Sequence, residues 1–337
     1  MLKFKLLAGL IVTVIVGAAV WWLLAARTQE AALETWLQQR RDAGWQAEAE
    51  VSILGFPNRL DVTLTDPALA DPVSGWAWSA PWLEIAQVIY DPTFFVATWP
   101  AEQRLAAPGA RAILRTEKME ASLKTGTRAN LPLRRVSFDI LNAALVADAG
   151  WTAGADRIGA HIREAPDAGP ENTYEFRGDI LRLRLPDFIR AQLDPAGALP
   201  PAIETATFEG RAAFDQPLDR LAFEGPKPGM TALSLSEATA EWGALRLVVS
   251  GSMKADEKGY AEGKFDIEAD NWRDMLDAAV AAGAMPSAFA ETLKTGLGFV
   301  ARLSGDGERL DVGLVFADGL ARIGPIPVGR APRLLQP

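Results

Sequence analysis

The sequence predicts a mainly β (α+β) protein. It reads as one N-terminal transmembrane helix and an elongated antiparallel β-rich domain in tandem modules, with helices toward the C-terminal end. Three observations predict it. Residues Leu6 to Ala26 carry no charge. From Gln46 onward the apolar residues recur with a period of two, the mark of half-buried strands. Helical spacing returns only in three short stretches late in the chain.

The uncharged run is roughly 21 residues long and, at about 1.5 Å of rise per residue, covers a bilayer core. Lys3 and Lys5 precede it and Arg27 follows. The lysines hold the short N-terminus in the cytoplasm, so the chain beyond Arg27 is exported. Trp21 and Trp22 stand near the outer end, where indoles prefer the headgroup region. A cleaved signal peptide competes, with small residues at Val16-Gly17-Ala18, but the apolar run continues about eight residues past Ala18. Thr28 to about Arg41 then reads as a stalk helix, with Leu33, Trp36 and Leu37 on a narrow stripe and Gly44 as its stop.

Leu60-Asp61-Val62-Thr63-Leu64-Thr65 alternates cleanly, and strands are also expected at 83–90, 94–98, 110–116, 119–124, 135–146, 157–163 and 174–185. Later strands are expected at 205–214, 245–254, 261–269, 309–316 and 320–323. Asp66-Pro67, Asp71-Pro72, Asp91-Pro92 and Asp194-Pro195 read as turn starters, and Gly305-Asp306-Gly307 and Asp318-Gly319 as hairpin turns. Helices are expected at Asp187 to Leu193, Trp272 to Ala282 and Ser287 to Leu303. Tyr174-EFRG and Gly197-Ala198-Leu199-Pro200 recur as Tyr260-AEG and Gly283-Ala284-Met285-Pro286, at one offset and around a strand and a helix each time. That recurrence suggests a duplicated module. The expected organisation is a cytoplasmic stub and anchor at 1–27, a stalk at 28–45, and β-rich modules at 46–130, 131–228 and 229–337, the last with two helices.

Composition excludes several function classes. Hydrophobic content of 49 % with 23 % charged residues is globular, so the exported part buries a core. A net charge of −9 argues against nucleic acid and against extensive docking on anionic headgroups. Cysteine is absent and His161 is the sole histidine, which removes thiol chemistry and multi-imidazole zinc sites within one chain. No G-x-S-x-G elbow, phosphate loop or S-x-x-K pair occurs, and the Gly296-Leu297-Gly298 stretch falls inside an expected helix. No catalytic residue, metal or cofactor is expected.

The candidate ligand contacts are Trp76, Trp78 and Trp82, with Phe56 and Arg59 in the preceding Gly55-Phe56-Pro57-Asn58-Arg59 segment. Three indoles within seven residues suit a groove for an apolar or sugar-bearing ligand, although the same residues also suit a packed corner. Arg59 with Asp61 or Asp66 is either a fixing ion pair or an anion contact. His161, on a strand face with Gly159 and Arg163, reads as a surface residue.

The anchor, the GFPNRLDVTLTDPALADP and GWAWSAPWLEI segments, and the ending Phe316-Ala317-Asp318-Gly319 … Gly324-Pro325-Ile326-Pro327-Val328-Gly329 resemble an uncharacterised domain-of-unknown-function family of alphaproteobacterial envelope proteins. The stretch from Trp242-Gly243 to Asn271-Trp272 is weakly similar to AsmA-type envelope proteins. The resemblance implies a bacterial inner-membrane protein facing the periplasm, and the AsmA likeness implies lipid handling by analogy of fold. The expected function is non-enzymatic: sheltering a lipid or lipid-linked ligand beside the inner membrane, held there through residues 6–26. A scaffold with an envelope protein partner is the alternative, and a carboxylate-dependent periplasmic hydrolase is a third reading.

Overall fold

The structure is a computed structural model that describes residues 2–167, 169–303, 307–324 and 326–335, with side chains described outside 2–12, 14, 223–224, 299–300 and 302–303. Of the anchor segment, the side chains of residues 6–12 and 14 thus lie outside the described part, as do Gly305 and Asp306 of the expected Gly305-Asp306-Gly307 turn. Among the described residues no helix is long and apolar enough to cross a membrane. The chain forms two compact units, residues 1–124 with 145–150 and residues 125–144 with 151–337.

Unit one opens with α1 (Leu2–Asp42), a single helix that joins the expected stalk to the segment before it. It stops at Gly44, whose φ of +87° is a left-handed conformation that glycine adopts without steric cost. Strands follow as β1 (Gln46–Leu54), β2 (Arg59–Asp71), β3 (Trp76–Ser79), β4 (Trp82–Val88), β5 (Phe94–Thr98), β6 (Glu102–Ala107), β7 (Ala110–Arg115) and β8 (Lys118–Thr125). Their antiparallel pairings include β1–β2, β2–β4, β4–β5 and β5–β8 on one branch, and β2–β3, β3–β6 and β6–β7 on the other.

The branch point corrects one sequence expectation. Asp66-Pro67 does not end the strand; β2 runs through it with Asp66 at φ +47°. Before the kink β2 pairs with β4, and after it with β3. The Asp66 N–H donates to the Pro81 carbonyl (2.9 Å) and the Ala80 N–H to the Pro67 carbonyl (3.1 Å), so tertiary pairing overrides the local turn preference. Asp71 does start a turn, accepting from the Val73 N–H at 3.0 Å.

Unit two is a sequential antiparallel meander. It comprises β9 (Leu133–Ala147, passing into unit one at Leu145), β10 (Thr152–Glu164), β11 (Thr173–Leu183), β12 (Ile203–Phe214) and β13 (Met230–Trp242). It continues through β14 (Leu245–Ala255), β15 (Ala261–Asp270), β16 (Arg309–Ala317), β17 (Leu320–Ile323) and β18 (Ile326–Arg330). From β10 onward each strand pairs with the next.

Helices interrupt the hairpin connections: α2 (Asp187–Leu193) between β11 and β12, α3 (Arg220–Glu224) between β12 and β13, and α4 (Trp272–Ala281) with α5 (Ser287–Leu303) between β15 and β16. The sequence repeat thus maps onto two strand–helix units, β11–α2 and β15–α4, each followed by a left-handed glycine (Gly197 and Gly283). The Gln192 amide donates to the Ala281 carbonyl, placing the two repeated helices side by side.

The core of unit two sits where α4 and α5 cover the C-terminal strands. Trp272, Leu293, Leu297 and Ala301 pack with Ala269, Leu310 and Val312 of the sheet. The Trp272 indole N–H donates to the Gly307 carbonyl at 3.1 Å, satisfying its one polar atom within the core. A second buried point lies at Tyr174, whose hydroxyl accepts from the Leu218 N–H at 2.9 Å and whose phenol pKa burial pushes up.

Candidate functional site

The structure disperses the residues that the sequence grouped. Trp76 and Trp78 lie on β3 and Trp82 on β4, after the Pro81 turn. Trp76 is exposed at the tip of the β2–β3 hairpin. Trp78 is half-buried, pairs in register with Leu69 and Leu105, and donates its indole N–H to the buried Gln103 at 2.8 Å. It lines a cavity of about 460 Å³ together with Leu69, Leu105 and Ile113. Trp82 stands opposite Thr65.

Phe56 and Arg59 lie at the far end of β2 from this cluster, beside α1. There Phe56 meets Trp22 edge-on at 5.7 Å, and the Trp22 indole donates to the Arg59 carbonyl at 2.7 Å. The Arg59 guanidinium is paired with Asp61 at 3.0 Å, which selects that carboxylate over Asp66.

A feature the sequence reading missed is the two-faced sheet of unit two. Directly opposed residues of antiparallel strands project to the same side, so the register sorts the side chains. One face carries three transverse rows: Ala160–Gly178–Phe208–Ala238–Val249–Ile267, Ile158–Ile180–Ala206–Ala240–Leu247–Ala269, and Ile162–Phe176–Gly210–Leu235. Every one of these residues is apolar or glycine. The other face carries His161–Arg177–Glu209–Glu237, Arg163–Glu175–Arg211, and Glu241–Arg246–Asp270–Arg309.

The apolar face is sealed at its C-terminal end by α4 and α5 but stays open over β10 to β14. Phe208 is 44 % exposed, Ala160 is exposed, and Ile162, Phe176, Ile180 and Val249 are only half-buried. The Phe176 and Phe208 rings lie 6.0 Å apart. A Cβ added at Gly178 would strike the Phe208 ring and one at Gly210 the Phe176 ring, so each glycine makes room for its neighbour's ring to lie along the sheet.

The charged face holds a cleft of about 560 Å³ with Arg135, His161, Arg163, Arg177, Arg211 and Glu175 in its wall. Glu175 bridges two of these cations, Arg163 at 2.5 Å and Arg211 at 3.0 Å, and their hydrogen bonds hold its carboxyl below the usual range. His161 projects to this face as expected, 3.9 Å from Asp139.

No curated protein and no solved structure matches the chain. A family described as an uncharacterized protein conserved in bacteria (DUF2125) matches residues 22–332, which include both units' strands and the helices between them. The chain belongs to this family of uncharacterised, conserved bacterial proteins.

Proposed function

We propose that the protein is a non-enzymatic component of the bacterial envelope that shelters an apolar ligand, a lipid or lipid-linked glycan, against the open face of β10 to β14. One observation supports this reading: a broad apolar sheet surface left half-exposed around Phe208, while the opposite surface carries rows of charged residues. Each Å² of apolar surface returned to water costs about 25 cal/mol, so an open face of this kind favours an apolar occupant. The anchor reading of residues 6–26 and the periplasmic placement of the body belong to the same proposal, since they put the face beside a lipid source. The AsmA-type likeness points the same way. Trp78, lining the cavity of unit one, is retained as a second apolar contact.

The test is native mass spectrometry, with organic extraction, of the full chain purified in mild detergent. Wild-type protein is expected to carry about one lipid per chain, a stoichiometry at which a 1:1 complex dominates when the lipid exceeds its Kd. A variant with Ile180→Asp and Phe208→Asp is expected to carry almost none while keeping its β circular dichroism. Lipid-free wild-type protein that retains a stoichiometric protein partner would instead support the scaffold reading.

A further inference from the structure

We infer that the β1–β2 and β4–β5 turns of unit one form an aromatic rim that sits in the headgroup region of a lipid bilayer around α1. This inference rests on the anchor reading of residues 6–26, and it adds where the folded body meets the membrane.

The lengths of two elements carry it. From Trp22 to Asp42 the helix rises about 30 Å at about 1.5 Å per residue. The chain then reverses at Gly44, and the nine residues of β1 return about 30 Å at about 3.3 Å per residue. The Arg41 guanidinium donates to the Ala47 carbonyl at 2.7 Å, pinning the start of this return. Trp22 therefore comes level with the far end of β1, where it bonds the Arg59 carbonyl and contacts Phe56. Helix residues before Trp22 overhang the strand ends, and Ile15, Val16, Val20 and Trp21 are each half-exposed or more. An overhanging helix that is apolar around its circumference suits hydrocarbon rather than water.

At the same level the turns present large apolar side chains outward. Leu54 is 67 % exposed, Phe56 53 % and Tyr90 79 %. The Ile89 N–H donates to the Asn58 carbonyl at 3.1 Å, tying the two turns into one edge. The local cations are neutralised, Arg59 by Asp61 at 3.0 Å and Lys124 by Asp91 at 2.5 Å. The edge is therefore aromatic rather than basic, and its chemistry matches the interface of a bilayer irrespective of headgroup charge.

Because the chain has no cysteine, a single introduced thiol reports one position. The full chain carrying Ile15→Cys, Phe56→Cys, Tyr90→Cys or Val73→Cys, labelled with an environment-sensitive fluorophore, is reconstituted into phosphatidylcholine vesicles with nitroxide lipids. Labels at 56 and 90 are expected to be quenched several-fold more by headgroup-level nitroxide than the label at 73. Position 73 lies beyond the opposite end of β2, about 40 Å away at about 3.3 Å per residue. The label at 15 is expected to be quenched by mid-bilayer nitroxide. Quenching at 15 with labels at 56 and 90 matching 73 overturns the rim and leaves the anchor standing. No quenching at 15 overturns the anchor reading and the rim with it.

An independent observation points to a second site, on the charged face of unit two. The geometry assigns the cleft around Arg135, Arg163, Arg177 and Arg211 to a phosphate-bearing anion. Four arginines line this one cleft with the carboxylates of Glu175 and Glu209, in a chain whose net charge is −9. Glu175 is committed to Arg163 and Arg211, while Arg135 and Arg177 form no ion pair among the described residues. Two uncommitted guanidinium forks match one dianionic phosphate group, which they can hold through paired N–H donors.

The probes are pyrophosphate, titrated calorimetrically into the full chain, and detergent micelles containing phosphatidic acid. Saturable binding of pyrophosphate would identify a free phosphate ligand, and binding of the micelles alone a lipid headgroup. Either binding is expected to weaken at least tenfold in the Arg135→Ala, Arg177→Ala variant with its thermal midpoint unchanged. Binding of neither probe, or equal binding by wild type and variant, overturns this assignment.

Discussion

Replacing Trp272 with Ala is expected to destabilise unit two by about 3–5 kcal/mol, the range for removing a buried large aromatic. Trp272 is only 2 % exposed and packs among Ala269, Leu293, Leu297, Leu310 and Val312. Trp272 joins α4, α5 and the sheet by packing, and its indole N–H donates to the Gly307 carbonyl, which the Arg273 guanidinium also reaches at 2.6 Å. The Arg273 guanidinium also stacks over the ring at 4.4 Å, a contact that the substitution removes. For a unit of this size the thermal midpoint is expected to fall on the order of 10 °C, measured by circular dichroism. Trp272→Phe keeps most of the apolar volume, and its loss is expected to be less than half as large. A midpoint unchanged by Trp272→Ala would mean that α4 and α5 do not hold this face of the sheet.

The same residues show why part of the fold was legible in the sequence. Trp272, Met275, Leu276 and Ala279 recur at helical spacing, and the observed helix ends within one residue of the expected one. Alternation in Arg157 to Arg163 likewise placed His161 beside Gly159 and Arg163 on one face. Both are local signals, because a periodic side-chain pattern is written along one segment. The path of β2 through Asp66-Pro67 was not legible. Its cause is pairing to Pro81 and Ala80, which lie more than a turn away in sequence, and the Asp-Pro dipeptide alone favours a break.

The candidate contacts that the sequence groups are dispersed in the structure for a related reason. Trp76, Trp78 and Trp82 are close in sequence, yet a turn at Pro81 divides them between two strands, and Phe56 and Arg59 occupy the opposite end of β2. The open apolar face arises the other way, from residues far apart in sequence. Ala160, Phe208 and Val249 form one row only after β10 to β14 take their register. Much of that row is alanine and glycine, which carry little hydrophobic signal residue by residue. The character of the face lies in the two phenylalanine rings, Phe176 and Phe208, for which the glycines opposite them leave room.

The sidedness of this sheet is the central claim, and adjacent residues on opposite faces test it most directly. Phe208→Cys and Glu209→Cys variants of the full chain, each carrying a benzophenone on its sole thiol, are irradiated in bacterial membranes and analysed for lipid adducts. Lipid adducts are expected from position 208, and equally from Ala160→Cys on the same row, with at least tenfold fewer from position 209. Equal yields from positions 208 and 209, or none from 208 and 160, would contradict this sidedness.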